Sequence, residues 1–188
     1  MRFFNTAGPV NCEKHYCLPP LTRFDLPEIL TLISQEKYFV LHAPRQSGKT
    51  SCMLALRDYL NREGRYAALY MNVETAQTAK SDVSRGIKAI ISEFAFQADL
   101  TIPDSSLRDK INHYIEVYGP DAAFKMVLSD VCRSVSLPVA LCIDEIDALV
   151  GDTLISVLRQ LRSGYSERPA HFPSSIILCG VRDVRDYR

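Results

Sequence analysis

Four short apolar runs constrain this chain more than any other feature: "YFVLHA" (38–43), "YAALYMNVE" (66–74), "VALCIDEID" (139–147) and "SIILCGV" (175–181). They are rich in β-formers and lack the alternation of a strand with one wet face. Each is therefore expected to be buried on both sides, as in a parallel sheet. Between them, apolar residues recur at helical spacing. Residues 50–61 read as a helix stopped near Gly64. Val83, Ile87, Ile90, Ile91, Phe94 and Ala98 share one face, as do Leu107, Ile111, Tyr114, Ile115 and Tyr118. Phe124, Val127, Leu128, Val131 and Val135 form a third stripe, and Leu154, Val157, Leu158 and Leu161 a fourth. Upstream, Asp25 is a candidate N-cap, with Pro27 in the first turn and Glu28 three residues on, opening a short helix to about Gln35. Strands alternating with helices predict an α/β fold with a parallel sheet and right-handed crossovers. Gly8-Pro9 and Pro19-Pro20 mark residues 1–24 as an extended arm ahead of a core over 25–188.

The 188 residues suit one domain, and 47% apolar with 23% charged residues is ordinary for a globular chain. Twenty-two basic residues balance 22 acidic ones, so net charge makes no case for nucleic acid or an acidic membrane surface. No apolar run has the roughly 18 residues a membrane helix needs. The N-terminus lacks the apolar stretch of a signal peptide, so a cytoplasmic location is expected. Six cysteines (12, 17, 52, 132, 142, 179) include no CxxC pair and are read as reduced, with Cys142 and Cys179 acting as small hydrophobes inside strands. Cys12, His15 and Cys17 lack a fourth partner at zinc-finger spacing.

The chemistry-bearing residues fall at strand ends. After the first run comes the loop Ala43, Pro44, Arg45, Gln46, Ser47 and Gly48, and then Lys49, Thr50 and Ser51 open a helix. Strand, loop and helix in that order form the setting of a phosphate-binding Walker A loop. Backbone N–H groups bind anionic oxygens, Gly48 allows close approach, Lys49 reaches the β- and γ-phosphates and the Thr50 hydroxyl ligates Mg²⁺. Ala43 stands where the strict pattern has Gly, at the strand-to-loop turn, where a methyl group intrudes least. The third run ends in Asp144 and Glu145, at the edge where parallel sheets place ligands. Asp144 is expected to hold the metal and Glu145 to act as general base toward an attacking water.

"APRQSGKT", "LCIDEID" and "IILCGVRD", in that order, resemble the AAA-like ATPases of the additional-strand (ASCE) P-loop class, near the STAND branch and the archaeal and bacterial AAA-type ATPases. The resemblance spans nearly the whole chain. It implies a P-loop NTPase three-layer sandwich with a mainly parallel sheet of about four to five strands, an ATP site and Mg²⁺-dependent hydrolysis. It further implies a γ-phosphate sensor at Arg182, restraint of Glu145 by Asn72, and adenine contacts from Tyr16, Leu18, Pro19, Pro20 and Arg23. Arg159, Arg162 and Arg168 are candidates for a finger acting in trans. The chain ends at Arg188, so the fifth strand and the lid of such relatives are expected to be missing. Three functions remain open: an ATPase serving as a switch or assembly motor, a non-hydrolysing nucleotide-held scaffold that binds a protein partner or itself, and the ATPase subunit of a DNA-linked machine.

Overall fold

The computed structural model describes residues 2–6, 11, 13–102 and 107–181. At its centre β1 (Tyr38–His42), β2 (Ala67–Asn72), β3 (Val139–Asp144) and β4 (Ser175–Gly180) form one parallel sheet in the order β1-β4-β3-β2. These are the four apolar runs, each ending one to three residues before its predicted end. Helices α1 (Leu26–Ser34), α2 (Lys49–Glu63), α3 (Val83–Thr101), α4 (Leu107–Tyr118), α5 (Ala123–Ser134) and α6 (Gly151–Ser163) flank it.

Alternation along the strands sorts the core into two clusters. One face carries Leu69, Met71, Leu141, Ile143 and Ile176 and packs against α3, α5 and α6 through residues such as Ile87, Phe94, Phe124, Val127 and Leu154. The opposite face carries Ala68, Tyr70, Ala140, Cys142, Ile177 and Cys179, packed against Ile29 and Ile33 of α1 and Met53, Leu56 and Leu60 of α2. Alanine and cysteine on β2, β3 and β4 alternate here with larger residues such as Tyr70 and Ile177. Period-two alternation of two apolar sets is the reason the runs looked continuous in sequence.

Local chemistry sets several boundaries. The Asp25 carboxylate accepts from the Glu28 N–H at 3.0 Å, the first half of the predicted capping box. Gly64 takes φ 71° just past α2, a left-handed stop. Both outer strands are edges. On β2 the Asn61 side chain of α2 takes the place of a neighbouring strand, donating to Ala68 O at 2.9 Å and accepting from Ala68 N–H at 2.8 Å. On β1 no further strand pairs among the described residues.

Arg168 clamps the end of the sheet where the strands begin. It stacks on the Tyr165 ring at 3.4 Å and donates to the carbonyls of Tyr165, Ser174 and Glu36. That commits Arg168 to a structural role far from the C-terminal strand edge. In the arm, Phe3 and His15 form an isolated bridge, so this segment folds back on itself. Cys52, Cys132, Cys142 and Cys179 are free and buried, but Cys17 is disulfide-bonded, which corrects the expectation of six reduced thiols. A half-buried cysteine ahead of the core carries no sequence signal that separates a paired thiol from a free one. Among the described residues no helix is long and apolar enough to cross a membrane.

The Asn61→Ala variant leaves both polar groups of the wholly buried Ala68 unpaired. Urea denaturation should show a loss of about 1–3 kcal/mol. An unchanged midpoint would mean that water replaces both bonds.

Candidate functional site

The loop between β1 and α2 is anchored and curled by its backbone. Ala43 N–H donates to Gly180 O on β4 at 3.3 Å, tying the turn to the neighbouring strand. Gln46 and Gly48 take φ 59° and 82°, the left-handed conformation that lets a short loop gather N–H groups around an anion. Gly48 is also the N-cap of α2, so the first orphan N–H groups of that helix open on the same space. Lys49 Nζ reaches back to donate to Ala43 O at 2.9 Å and Pro44 O at 3.0 Å. An ammonium has three donors, so one remains for another acceptor.

β3 delivers the acids. Asp144 has no exposed surface. Its Oδ2 accepts from the Thr50 hydroxyl at 2.7 Å and from the Tyr70 hydroxyl at 3.0 Å, and its Oδ1 accepts from the Glu145 N–H at 3.0 Å. Glu145 follows in a left-handed conformation, φ 56°, uncommon for a residue with a side chain and a mark of local strain. Burial raises its pKa, and Asp144 and Asp147 push in the same direction, while Lys49 opposes them. Burial likewise raises the Tyr70 hydroxyl, reinforced by Asp144.

These residues border a cleft of about 760 Å³, which Gln46, Gly48, Lys49, Thr50, Ser51 and Glu145 help to line. A second cavity of about 340 Å³ lies beside it, with Phe24, Leu41, Met53, Cys179, Ala43 and Ser47 in its wall. Arg23 and Lys49 border both. The buried Oγ of Ser47 and Oδ1 of Asp147 have no hydrogen-bond partner among the described residues. Ser47 lines the smaller cavity, so one orphaned oxygen lies at its wall.

The structure thus brings Thr50, Asp144, Lys49 and Glu145 together, although 94 residues separate the first two in the chain. Pro44 and Arg45 are exposed, and Pro44 contributes its carbonyl to Lys49. Asn72 lines the same cleft as Glu145. Its Oδ1 accepts from the Glu74 N–H at 2.8 Å, and its side chain also hydrogen-bonds Tyr70, so its bonds lead to Asp144 rather than to Glu145. Arg182 lies outside the described residues. Of the segment proposed to meet adenine, Tyr16 and Leu18 are exposed, and Arg23 is the member that borders the cavities.

Sequence reasoning missed Tyr70. Its signal was parity: Tyr70 pairs with Cys142 in register, and Cys142 and Asp144 point to the same face of β3. Among the described residues no group of three or more His, Cys, Asp or Glu side chains is arranged to hold a metal ion. Thr50 and Asp144 offer two adjacent oxygens, a donor set that suits Mg²⁺, which takes few protein ligands and completes its shell with water and phosphate. The chain matches no protein-family model, and no curated protein matches it significantly.

The raised pKa of Glu145 has a consequence for stability. The folded chain holds this proton more tightly than the unfolded chain, so ionising it costs stability. The cost is absent below the ordinary glutamate value of about 4.3 and complete above the raised value. Thermal melts of Glu145→Gln and wild type should therefore converge in acid, with the variant melting higher toward neutral pH. A constant offset across that range would contradict this. Tyr70→Phe removes a buried donor to a carboxylate and should lower the unfolding free energy by about 1.5–3 kcal/mol at neutral pH, read by chemical denaturation.

Proposed function

We propose that this chain is a nucleotide-binding protein of the P-loop type, which binds ATP and hydrolyses it with Mg²⁺ to drive a conformational switch or an assembly step. One observation carries the reading: the Thr50 hydroxyl, one residue past the loop lysine, meets the Asp144 carboxylate at 2.7 Å, with Glu145 next in the chain. Lys49, Thr50 and Glu145 line one cleft, and the buried Asp144 carboxylate lies directly behind Thr50, which supports this reading. Adenine as the base rests on the resemblance of the motifs.

In this reading the N–H groups of the 43–48 loop and the Lys49 ammonium hold the phosphates, and Thr50 and Asp144 would hold the metal ion. When bound, the ion would supply positive charge that neutralises the phosphate oxygens. Glu145 accepts the proton of a water whose oxygen bonds to the γ-phosphorus as the bridging P–O bond breaks, releasing ADP and inorganic phosphate. Its raised pKa makes the carboxylate a better base than an exposed glutamate. Tyr70 and the Glu145 N–H would keep Asp144 oriented if the Thr50 hydroxyl were drawn into holding the ion.

Binding of Mg²⁺·ATP and steady-state phosphate release, measured on wild type, Lys49→Ala and Glu145→Gln, test the proposal. Wild type should bind, Lys49→Ala should lose most of the affinity, and Glu145→Gln should bind but release phosphate at least about 100-fold more slowly. Binding without release by wild type would leave a nucleotide-held scaffold. Failure of folded wild type to bind would refute the reading.

A further inference from the structure

We propose that Arg23 is a phosphate-contacting residue of this site, acting beside Lys49 on the anionic part of the nucleotide and not on its base. The inference rests on the nucleotide reading above and assigns one more residue to it.

The backbone at Arg23 is tied to the helix that carries the loop lysine. Arg23 closes a short turn, Pro20–Thr22, by donating its N–H to Pro20 O at 3.2 Å, and the Cys52 thiol of α2 donates to the same oxygen at 3.3 Å. Asp25, two residues on, caps α1. Between these two anchors the Arg23 side chain extends over Gly48. A Cβ built on Gly48 would come within 3.2 Å of the guanidinium carbon and still closer to Nη1. The missing side chain at position 48 is therefore what leaves room for the guanidinium, as well as for the left-handed turn of the loop.

The charge has no internal purpose. Arg23 is exposed, and among the described residues no carboxylate forms an ion pair with it. It borders both the larger cleft and the smaller cavity, at the junction between them. Lys49 also borders both, with two of its donors spent on loop carbonyls. A second cation lying over the loop glycine, planar and carrying several spare N–H donors, matches the oxygens of a phosphate better than the edge of a purine. The position also couples the arm to the site: a phosphate in the loop would engage a side chain whose backbone joins residues 1–22 to α1.

Titration of Mg²⁺·ATP, Mg²⁺·GTP and inorganic triphosphate into wild type, Arg23→Ala, Arg23→Gln and Arg23→Lys tests the assignment, with Lys49→Ala as control and thermal melts to verify folding. Arg23→Ala and Arg23→Gln should weaken all three ligands by a similar factor, about ten- to hundredfold, and Arg23→Lys should recover part of the loss. A loss confined to the nucleotides, with inorganic triphosphate unaffected, would mean base contact and overturn the proposal. Unchanged affinity in folded Arg23→Ala, with Lys49→Ala defective, would overturn it while sparing the nucleotide reading. Tighter binding would show that the guanidinium blocks the loop, and would overturn it too. If folded wild type binds none of the three, the nucleotide reading itself fails and the Arg23 assignment with it.

Discussion

A carboxylate with no exposed surface persists at the end of β3 because donors from several parts of the chain converge on it, the Cys179 thiol of β4 among them. The Thr50 hydroxyl arrives from the first turn of α2, the Tyr70 hydroxyl from β2, and the Glu145 N–H from the turn that follows. A buried charge left unpaired is expensive, so each donor holds its own element in place. The loop before α2, the second strand and the acidic turn thus share one reference point. Lys49 and Glu145 line the same cleft because Lys49 precedes Thr50, which is bonded to Asp144, and Glu145 follows Asp144.

The sheet makes that convergence possible by treating its two faces differently. Leucine, isoleucine and methionine fill the side covered by α3, α5 and α6, where bulky interdigitation stabilises the layer. On the side under α2, alanine and cysteine alternate with larger residues such as Tyr70 and Ile177. The first turn of α2 brings Thr50 within reach of Asp144. Burial raises the Cys142 and Cys179 thiols and Asp144 adds to the effect, so both stay protonated; Cys142 packs as a small apolar group, and Cys179 hydrogen-bonds Asp144.

Net charge conceals the electrostatics of the cleft. The chain carries as many acids as bases, yet Arg23 and Lys49 gather at the loop while Asp144, Glu145 and Asp147 gather at the end of β3. A polyanion and a dication are the complement of such a split. The left-handed Glu145, with its raised pKa, lines the larger cleft, and the partnerless Ser47 lines the cavity beside it. Strain and unmet hydrogen bonds concentrated beside a cleft are the usual marks of a site kept ready for a ligand.

Local pattern carried much of this. The apolar runs at 38–43, 66–74, 139–147 and 175–181 became the four strands, the helical stripes became α3 to α6, and Asp25 and Gly64 became caps, because each depends on neighbours within a few residues. The strand order was not legible, since nothing local says that β4 inserts between β1 and β3. Nor was the Cys17 disulfide, or the use of Arg168 as a clamp far from the cleft. Ala43, Gly48, Lys49, Thr50, Asp144 and Glu145 could be picked from the sequence because short-range chemistry dictates their types and spacing. Tyr70 could not, since its bond to Asp144 arises from side chains meeting across elements, and Arg23 entered only through the resemblance, as an adenine contact. The sequence by itself determined which segments are strands and helices and which residues sit at their ends, because those choices follow from periodicity and capping. Only the tertiary structure decided which ends meet, because burial against a common sheet, not any local rule, brings Thr50, Tyr70 and Asp144 within hydrogen-bonding distance.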